Sequence, residues 1–453
     1  LKYFITLFAA GILVFGIIGC NGKGESRSQR KIQKVILISI DTLRSDFLGT
    51  YNPEAKTSPN IDLFARDSIV FDNATAQAPS TAISHKSIFY SLYPAVHKTT
   101  KNTVPTETGR SPLEILKSKG FKTAAFVGGG QLARKFGFAR GFDTYWEATA
   151  TRRRGKDHDT LHEIENNAIE WLTENHKDNF FLFVHTYEVH CPYNPPPQFV
   201  EEFASWYTGP INPAGKCGDN FYNQQTLTND DIQFIRDLYS GSVKFTDEFM
   251  GRFLQKIKDL GIYDETMIIF LSDHGESLSE RGYIGHNQLY EVQLKIPFIL
   301  RIPGYESDRI DAPVVSIDLM PTVFEALGLG RLFPFQGRNL LPVIGGTVKI
   351  EKERVLIAEQ NTRMRVRKGD WSCVFSINEE SNDELYNVAE DPEQTKDLAE
   401  ENPEKVRELK QLYVRMLDSS QELSARFVLG DSSRPELDEA TREQLEALGY
   451  VNQ

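Results

Sequence analysis

Residues 34–41 read KVILISID, an unbroken apolar run, rich in β-branched side chains, that ends on an aspartate. A strand apolar on both faces belongs inside a mostly parallel sheet with helices covering either side. In open sheets of that kind ligands gather beyond the carboxyl ends of the strands, so Asp41 stands where chemistry is expected. Further strands of this character follow at KTAAFVG (122–128), NFFLFVHTY (179–187), TMIIFLSD (266–273) and PFILRI (297–302). Between them, PNIDLFARDS, SPLEILKSKG, DTLHEIENNAIEWLTENH and DLYSGSVKFTDEFMGRFLQKIKDLG space apolar residues three and four apart, the helical period. The alternation predicts an α/β fold with a large, mainly parallel central sheet flanked by helices. After about residue 345 the pattern changes to short strands, VLIAEQ, MRVRKGDWSCVFS and DELYNV, and then a charged helix from 403 to about 417. That predicts a small C-terminal α+β subdomain.

At 453 residues the chain exceeds one typical domain, and 40% hydrophobic with 25% charged residues is an ordinary globular composition. A formal net charge of −12 argues against a nucleic-acid partner, whose usual footprint is basic surface.

Two strand ends carry groups able to do chemistry. One is SIDTLRSD at Asp41; the other is FLSDHGESLSERGYIGH, with Asp273, His274 and His286. A strand-terminal aspartate is often only a turn cap. Asp41, Asp273 and His274 at one sheet edge would nonetheless supply three ligands of a borderline divalent metal. Thr81, in PSTAISHKSIFYSLYP (79–94), precedes a short helix and is either an N-cap or the fourth ligand.

The ordered series ILISIDTLRSD, APSTAISHKSIFYSLYP, GFARGFDTY, FVHTYEVHCPYNPP, IIFLSDHGESL, GHNQLYEVQLKIPFILRIPG and LYNVAEDPEQTKDLA resembles the sulfatase family of the alkaline phosphatase superfamily. The resemblance runs from residue 35 nearly to the end, where TREQLEALGYV also has the look of that family. It implies an alkaline-phosphatase-like sandwich, a sulfatase-like catalytic domain over 35–345 and a C-terminal subdomain and tail over 346–453. It implies hydrolysis of sulfuric esters with one divalent metal ion, on a small-molecule, glycan or lipid-headgroup anionic ester.

Sulfatases oxidise a Cys or Ser in C/S-x-P-x-R to formylglycine; here Thr81, Ile83 and His85 stand at its Cys/Ser, Pro and Arg positions. Oxidising a threonine gives a ketone rather than an aldehyde, which argues against formylglycine. TAISHKSIF instead is similar to the nucleophile helix of the superfamily's phosphoethanolamine transferases, and a threonine nucleophile is also used by nucleotide pyrophosphatase/phosphodiesterases and lipoteichoic-acid synthases. The matching metal set is Asp41, Thr81, Asp273 and His274. Thr42 replaces a second aspartate of the calcium site of true sulfatases, so zinc or manganese is favoured on ligands and calcium by resemblance. By position, His286 would protonate the leaving group, His190 is a substrate-side histidine, and His85 and Lys86 are either anion contacts or exposed on their helix. His185, inside an apolar strand, reads as a satisfied core residue. The family's Lys-x-His element is absent; FVGGGQLARKFGF stands there, with Arg134 and Lys135 as the candidate substitutes. Phosphodiesterase or phosphotransferase action is the alternative chemistry. A non-catalytic, sulfatase-like surface lipoprotein is the reading from another class.

LKYFITLFAAGILVFGIIGC (1–20) combines an early lysine with an apolar run and closes on a sequence similar to the lipobox of bacterial lipoproteins, with Cys20 as the lipidated residue. A plain anchor helix is the alternative. Residues 21–34 are a polar linker. Either version places the protein in the cell envelope, membrane-anchored and facing outside the cytoplasm. Cys191 and Cys217 could pair there as a disulfide.

Overall fold

In the computed structural model, residues 32–100, 103, 108–148, 159–212, 227–377, 383–427 and 435–450 are described. The signal and lipidation expectations at 1–20, Cys20 included, lie outside them, as do most of the linker and Cys217. Cys191 is disulfide-bonded. Cys373 is a free, buried thiol. No helix among the described residues is long and apolar enough to cross a membrane.

KVILISI forms β1 (Lys34–Ile40), every residue of it buried. Val35 and Leu37 enter one apolar cluster while Ile36, Ile38 and Ile40 enter another, so the sheet separates two cores and β1 is apolar throughout because both its faces are covered. The other strands are β2 (Ile69–Thr75), β3 (Lys122–Val127), β4 (Thr144–Glu147), β5 (Phe180–Thr186), β6 (Thr266–Ser272), β7 (Ser277–Leu278), β8 (Ile284–Gly285), β9 (Lys295–Arg301), β10 (Asp308–Ile310) and β11 (Val314–Val315). Nine of these form the main sheet, in the order β10-β2-β9-β6-β1-β5-β3-β4 with β11 beside β2. β1 runs parallel to β5 and β6, and β9 is antiparallel to β6 and β2. The sheet is therefore mixed but mostly parallel, as expected. β7 and β8 pair as a small hairpin.

Register positions the chemistry. Ile40 pairs with both Thr186 and Ser272, so β1, β5 and β6 end at one level. The next residues, Asp41 and Asp273, leave the sheet side by side. Thr42 turns the chain there with φ +56°, a conformation unusual for a β-branched residue and concentrated at functional sites. Its N–H donates to Asp273 Oδ1 at 3.3 Å, and its carbonyl accepts from the Tyr239 hydroxyl at 2.7 Å.

The second sheet contains β12 (Val355–Gln360), β13 (Arg363–Lys368), β14 (Trp371–Ser376) and β15 (Glu384–Asn387), antiparallel in that order and packed against the helix Pro403–Phe427. This is the expected subdomain, with a helix longer than its charge pattern suggested. Residues 435–450, grouped with it on sequence, instead return to the catalytic body: Leu445, Leu448 and Tyr450 are buried in the main core. The stretch from Thr144 forms β4 by pairing with β3.

Candidate active site

Thr81 is the first residue of the helix Thr81–Tyr90, and Ser80, not Thr81, occupies the N-cap position. All ten residues of that helix are buried, so it is a core helix with polar side chains placed deliberately rather than an amphipathic surface element. The capping alternative for Thr81 does not hold. Its hydroxyl donates to Asp41 Oδ2 at 2.9 Å, while the first-turn N–H of Ala82 donates to Gln131 Oε1 at 3.0 Å.

Asp41, Asp273 and His274 each offer a ligand atom, and these atoms lie within 4.8 Å of one another. All three residues are fully buried. Asp41 Oδ1, Asp273 Oδ2 and His274 Nε2 have no hydrogen-bond partner, although buried polar atoms are ordinarily paired. His274 Nδ1 donates to the Gly275 carbonyl at 2.9 Å, which leaves the Nε2 lone pair bare, the state a metal requires. Burial pushes the Asp41 carboxyl up to about 6, and burial together with Asp41 raises Asp273. Two desolvated carboxylates facing one another and a bare imidazole are a donor set that a divalent cation satisfies.

Helix and strand ends are tied together behind this cluster. Ser84 Oγ donates to the Asp273 carbonyl at 2.7 Å. His85 Nδ1 donates to the Thr81 carbonyl at 2.9 Å, and its Nε2 accepts from Ser39 Oγ at 3.0 Å. Burial lowers the His85 imidazolium to about 3, so it is a neutral spacer, buried beneath the cluster rather than exposed on its helix. Lys86 is likewise buried, its Nζ 4.3 Å from the centre of the Tyr90 ring, not on an exposed helix face.

His185 departs from expectation. It is fully buried, but neither ring nitrogen has a hydrogen-bond partner, and Nε2 lies 3.5 Å from Asp41 Oδ2. It is therefore no satisfied core residue: register opposite Ser39 turns it to the site.

Beside His274, His286 Nδ1 lies 3.1 Å from Glu276 Oε1, and the His286 ring is 4.7 Å from that of His274 and 5.1 Å from that of His190. Burial drives the Glu276 carboxyl up to about 8. Glu276 was missed on sequence; its place three residues after Asp273 on the same turn was the available signal. His190 donates from Nδ1 to the Cys191 carbonyl at 2.6 Å, and its Nε2 lies 3.0 Å from the Tyr450 hydroxyl. Tyr450 OH in turn is 3.1 Å from Thr81 Oγ1. Nothing in the sequence placed Tyr450 here.

Arg134 and Lys135 do not replace the missing Lys-x-His element. Arg134 donates to the Tyr145 carbonyl at 2.8 Å, and Lys135 pairs with Asp438. Both are turned away by the short helical turn Arg134–Phe136.

The family profile described as Sulfatase matches residues 33–329. An endo-4-O-sulfatase of Bacteroides thetaiotaomicron is 25% identical over 407 residues, covering 74% of this chain and 77% of that protein. An arylsulfatase of Clostridium perfringens is 21% identical, covering 86% and 95%. Among solved structures, the phosphonate monoester hydrolase of Agrobacterium radiobacter superposes with a TM-score of 0.70 at 17% identity, covering 86% of this chain and 96% of that one. This last likeness establishes the alkaline-phosphatase-like fold.

Proposed function

We propose, from the premise that the chain belongs to the sulfatase family of ester hydrolases, that it is a metal-dependent hydrolase of sulfate or phosphate esters with Thr81 as its nucleophile. The observation that carries this is the Thr81 hydroxyl: it is fully buried at a helix start, bonded to Asp41, beside three unpartnered ligand atoms.

Asp41, Thr81, Asp273 and His274 would hold the ion. When bound, it supplies Lewis acidity that makes the threonine hydroxyl easier to ionise. One imidazole with few carboxylates suits zinc or manganese; the family precedent is calcium.

The chain's own groups account for the rest. The start of Thr81–Tyr90 offers positive potential to an anionic group, with the Ala82 N–H held by Gln131. His85 and Ser84 fix the helix start against the strand ends, so that Thr81 Oγ1 is held for attack. Thr81 Oγ1 forms a bond to phosphorus or sulfur, the hydroxyl proton passing towards Asp41, while the bond to the ester oxygen breaks. His286, oriented by Glu276, delivers a proton to the departing alcohol. Water then attacks the same centre, releasing the inorganic anion and restoring the hydroxyl. A threonine ester lacks the second hydroxyl by which hydrated formylglycine expels sulfate, so phosphoryl esters are the favoured substrates.

The disulfide state of Cys191 agrees with an oxidising compartment, and the proposal includes tethering through Cys20 outside the cytoplasm. The test is turnover of para-nitrophenyl sulfate, para-nitrophenyl phosphate and bis(para-nitrophenyl) phosphate by wild type and Thr81→Ala, with metal analysis of both. Turnover that survives Thr81→Ala removes the nucleophile assignment. A folded wild type with neither metal nor turnover leaves a binding protein.

A further inference from the structure

We propose that Tyr450 is a catalytic residue of this site, its phenol donating a hydrogen bond to the substrate's anionic group as Thr81 attacks; the assignment rests on Thr81 being the nucleophile.

Proton counting comes first. His190 Nδ1 sits 2.6 Å from a carbonyl and so carries the ring hydrogen; its Nε2 is an acceptor, and the phenol hydrogen points to it. Thr81 has one hydrogen, and it goes to Asp41 Oδ2 at 2.9 Å, the shorter of its two contacts. The 3.1 Å contact between Thr81 Oγ1 and Tyr450 OH then has no hydrogen of its own. It does not hold the phenol in place. The phenol's one hydrogen can turn from His190 Nε2 to an anionic oxygen arriving beside Thr81.

What holds Tyr450 is a seat built elsewhere. The helix Glu439–Ala447 is started by Asp438, whose Oδ1 accepts from Thr441 N–H at 2.8 Å. Gln444 is clamped across the loop after β3: its Nε2 donates to the Gly128 carbonyl at 2.7 Å, and its Oε1 accepts from Gly130 N–H at 2.9 Å. A Cβ on Gly129 would fall 2.4 Å from Gln444 Nε2, and one on Gly130 would fall 2.9 Å from Leu448 Cδ1; both glycines also have positive φ. Gly129 and Gly130 of FVGGGQLARKFGF, standing where the Lys-x-His element is missing, thus make room for Gln444 and Leu448 and seat the segment that brings Tyr450 to Thr81.

Tyr450 and His286 are buried with the cluster, at 8% and 6% exposure against none for Asp41, Thr81, Asp273 and His274.

The experiment compares wild type, Tyr450→Phe, Gln444→Ala and Thr81→Ala, each supplied with zinc, manganese or calcium. Readouts are kcat and KM on para-nitrophenyl phosphate and para-nitrophenyl sulfate, the dissociation constant of orthovanadate, and thermal midpoint. Tyr450→Phe is expected to keep its fold, lose about tenfold or more in kcat/KM chiefly through kcat, and bind vanadate about tenfold more weakly, the scale of one hydrogen bond to a charged group. Gln444→Ala, which loosens the seat, should lose part of both, and it stands in if the Phe variant does not fold. Turnover and vanadate binding within about twofold of wild type in Tyr450→Phe, or faster turnover as expected of a removed plug, overturns the proposal while a dead Thr81→Ala leaves the nucleophile standing. Full activity in Thr81→Ala overturns both. A wild type that neither turns over these esters nor binds vanadate also overturns both.

Discussion

Thr81 and Asp41, forty positions apart in the chain, are joined by a 2.9 Å hydrogen bond from the threonine hydroxyl to Oδ2, inside a cluster closed to solvent. A hydroxyl in that position is neither a cap nor a packing group. It is held with its oxygen against the carboxylate that would share a cation with it.

Replacing Thr81 is therefore expected to be severe and specific. Thr81→Ala should lower kcat by about a thousandfold or more, whereas Thr81→Ser, which keeps the oxygen, should retain measurable turnover. Mass spectrometry of protein quenched during turnover should find the added phosphoryl or sulfuryl group on the peptide containing Thr81. Its absence under conditions where it should accumulate counts against a covalent intermediate.

Metal removal should invert the stability order of wild type and Asp41→Asn. Without a cation, burial holds the Asp41 carboxyl up at about 6, so a neutral asparagine costs the fold no more than the acid does. With the ion bound, wild type gains the binding free energy and the variant gains much less. Thermal midpoints in chelator and in excess zinc, manganese or calcium measure this. Equal shifts in the two proteins would place the ion elsewhere.

The Glu276–His286 pair predicts a leaving-group effect. Glu276→Gln weakens the orientation of His286 and should reduce kcat by about ten- to a hundredfold on an unactivated phenyl ester, with less loss on a nitrophenyl ester that departs without a proton. Rates across a series of substituted phenyl esters give the slope; an unchanged slope removes His286 from the leaving-group side.

Far from the site, Glu359 on β12 predicts a pH dependence of stability. Burial raises its carboxyl to about 7, against hydrogen bonds from Ala95 and Tyr413. The folded state thus keeps a proton that the unfolded chain releases. Stability from this group is complete below the unfolded value near 4.5, falls as pH rises, and levels off above about 7, a loss of about 3 kcal/mol at most. Glu359→Gln should remove that slope. Urea midpoints at intervals between pH 5 and 8 compare the two proteins, and parallel curves refute the shift.

The chain declared much of this in local patterns. A continuous apolar run requires cover on both faces, so KVILISID announced the central strand, and the same logic exposed Asp41, Asp273 and His274 as residues following strand ends. Thr81 was legible through the resemblance, since by itself a threonine at a helix start reads as a cap. Three things were not legible, for one physical reason: contacts between distant segments follow from register and packing, which leave no local period. His185 looked like core because its neighbours are apolar, yet pairing opposite Ser39 turns it onto Asp41. Glu276 acquired its role from His286 across the small hairpin. Tyr450 meets Thr81 across 369 residues, where Gly129 and Gly130 after β3 leave room for Gln444 and Leu448. Sequence determined the strands and the order of reactive groups; the folded sheet decided which of them share one space.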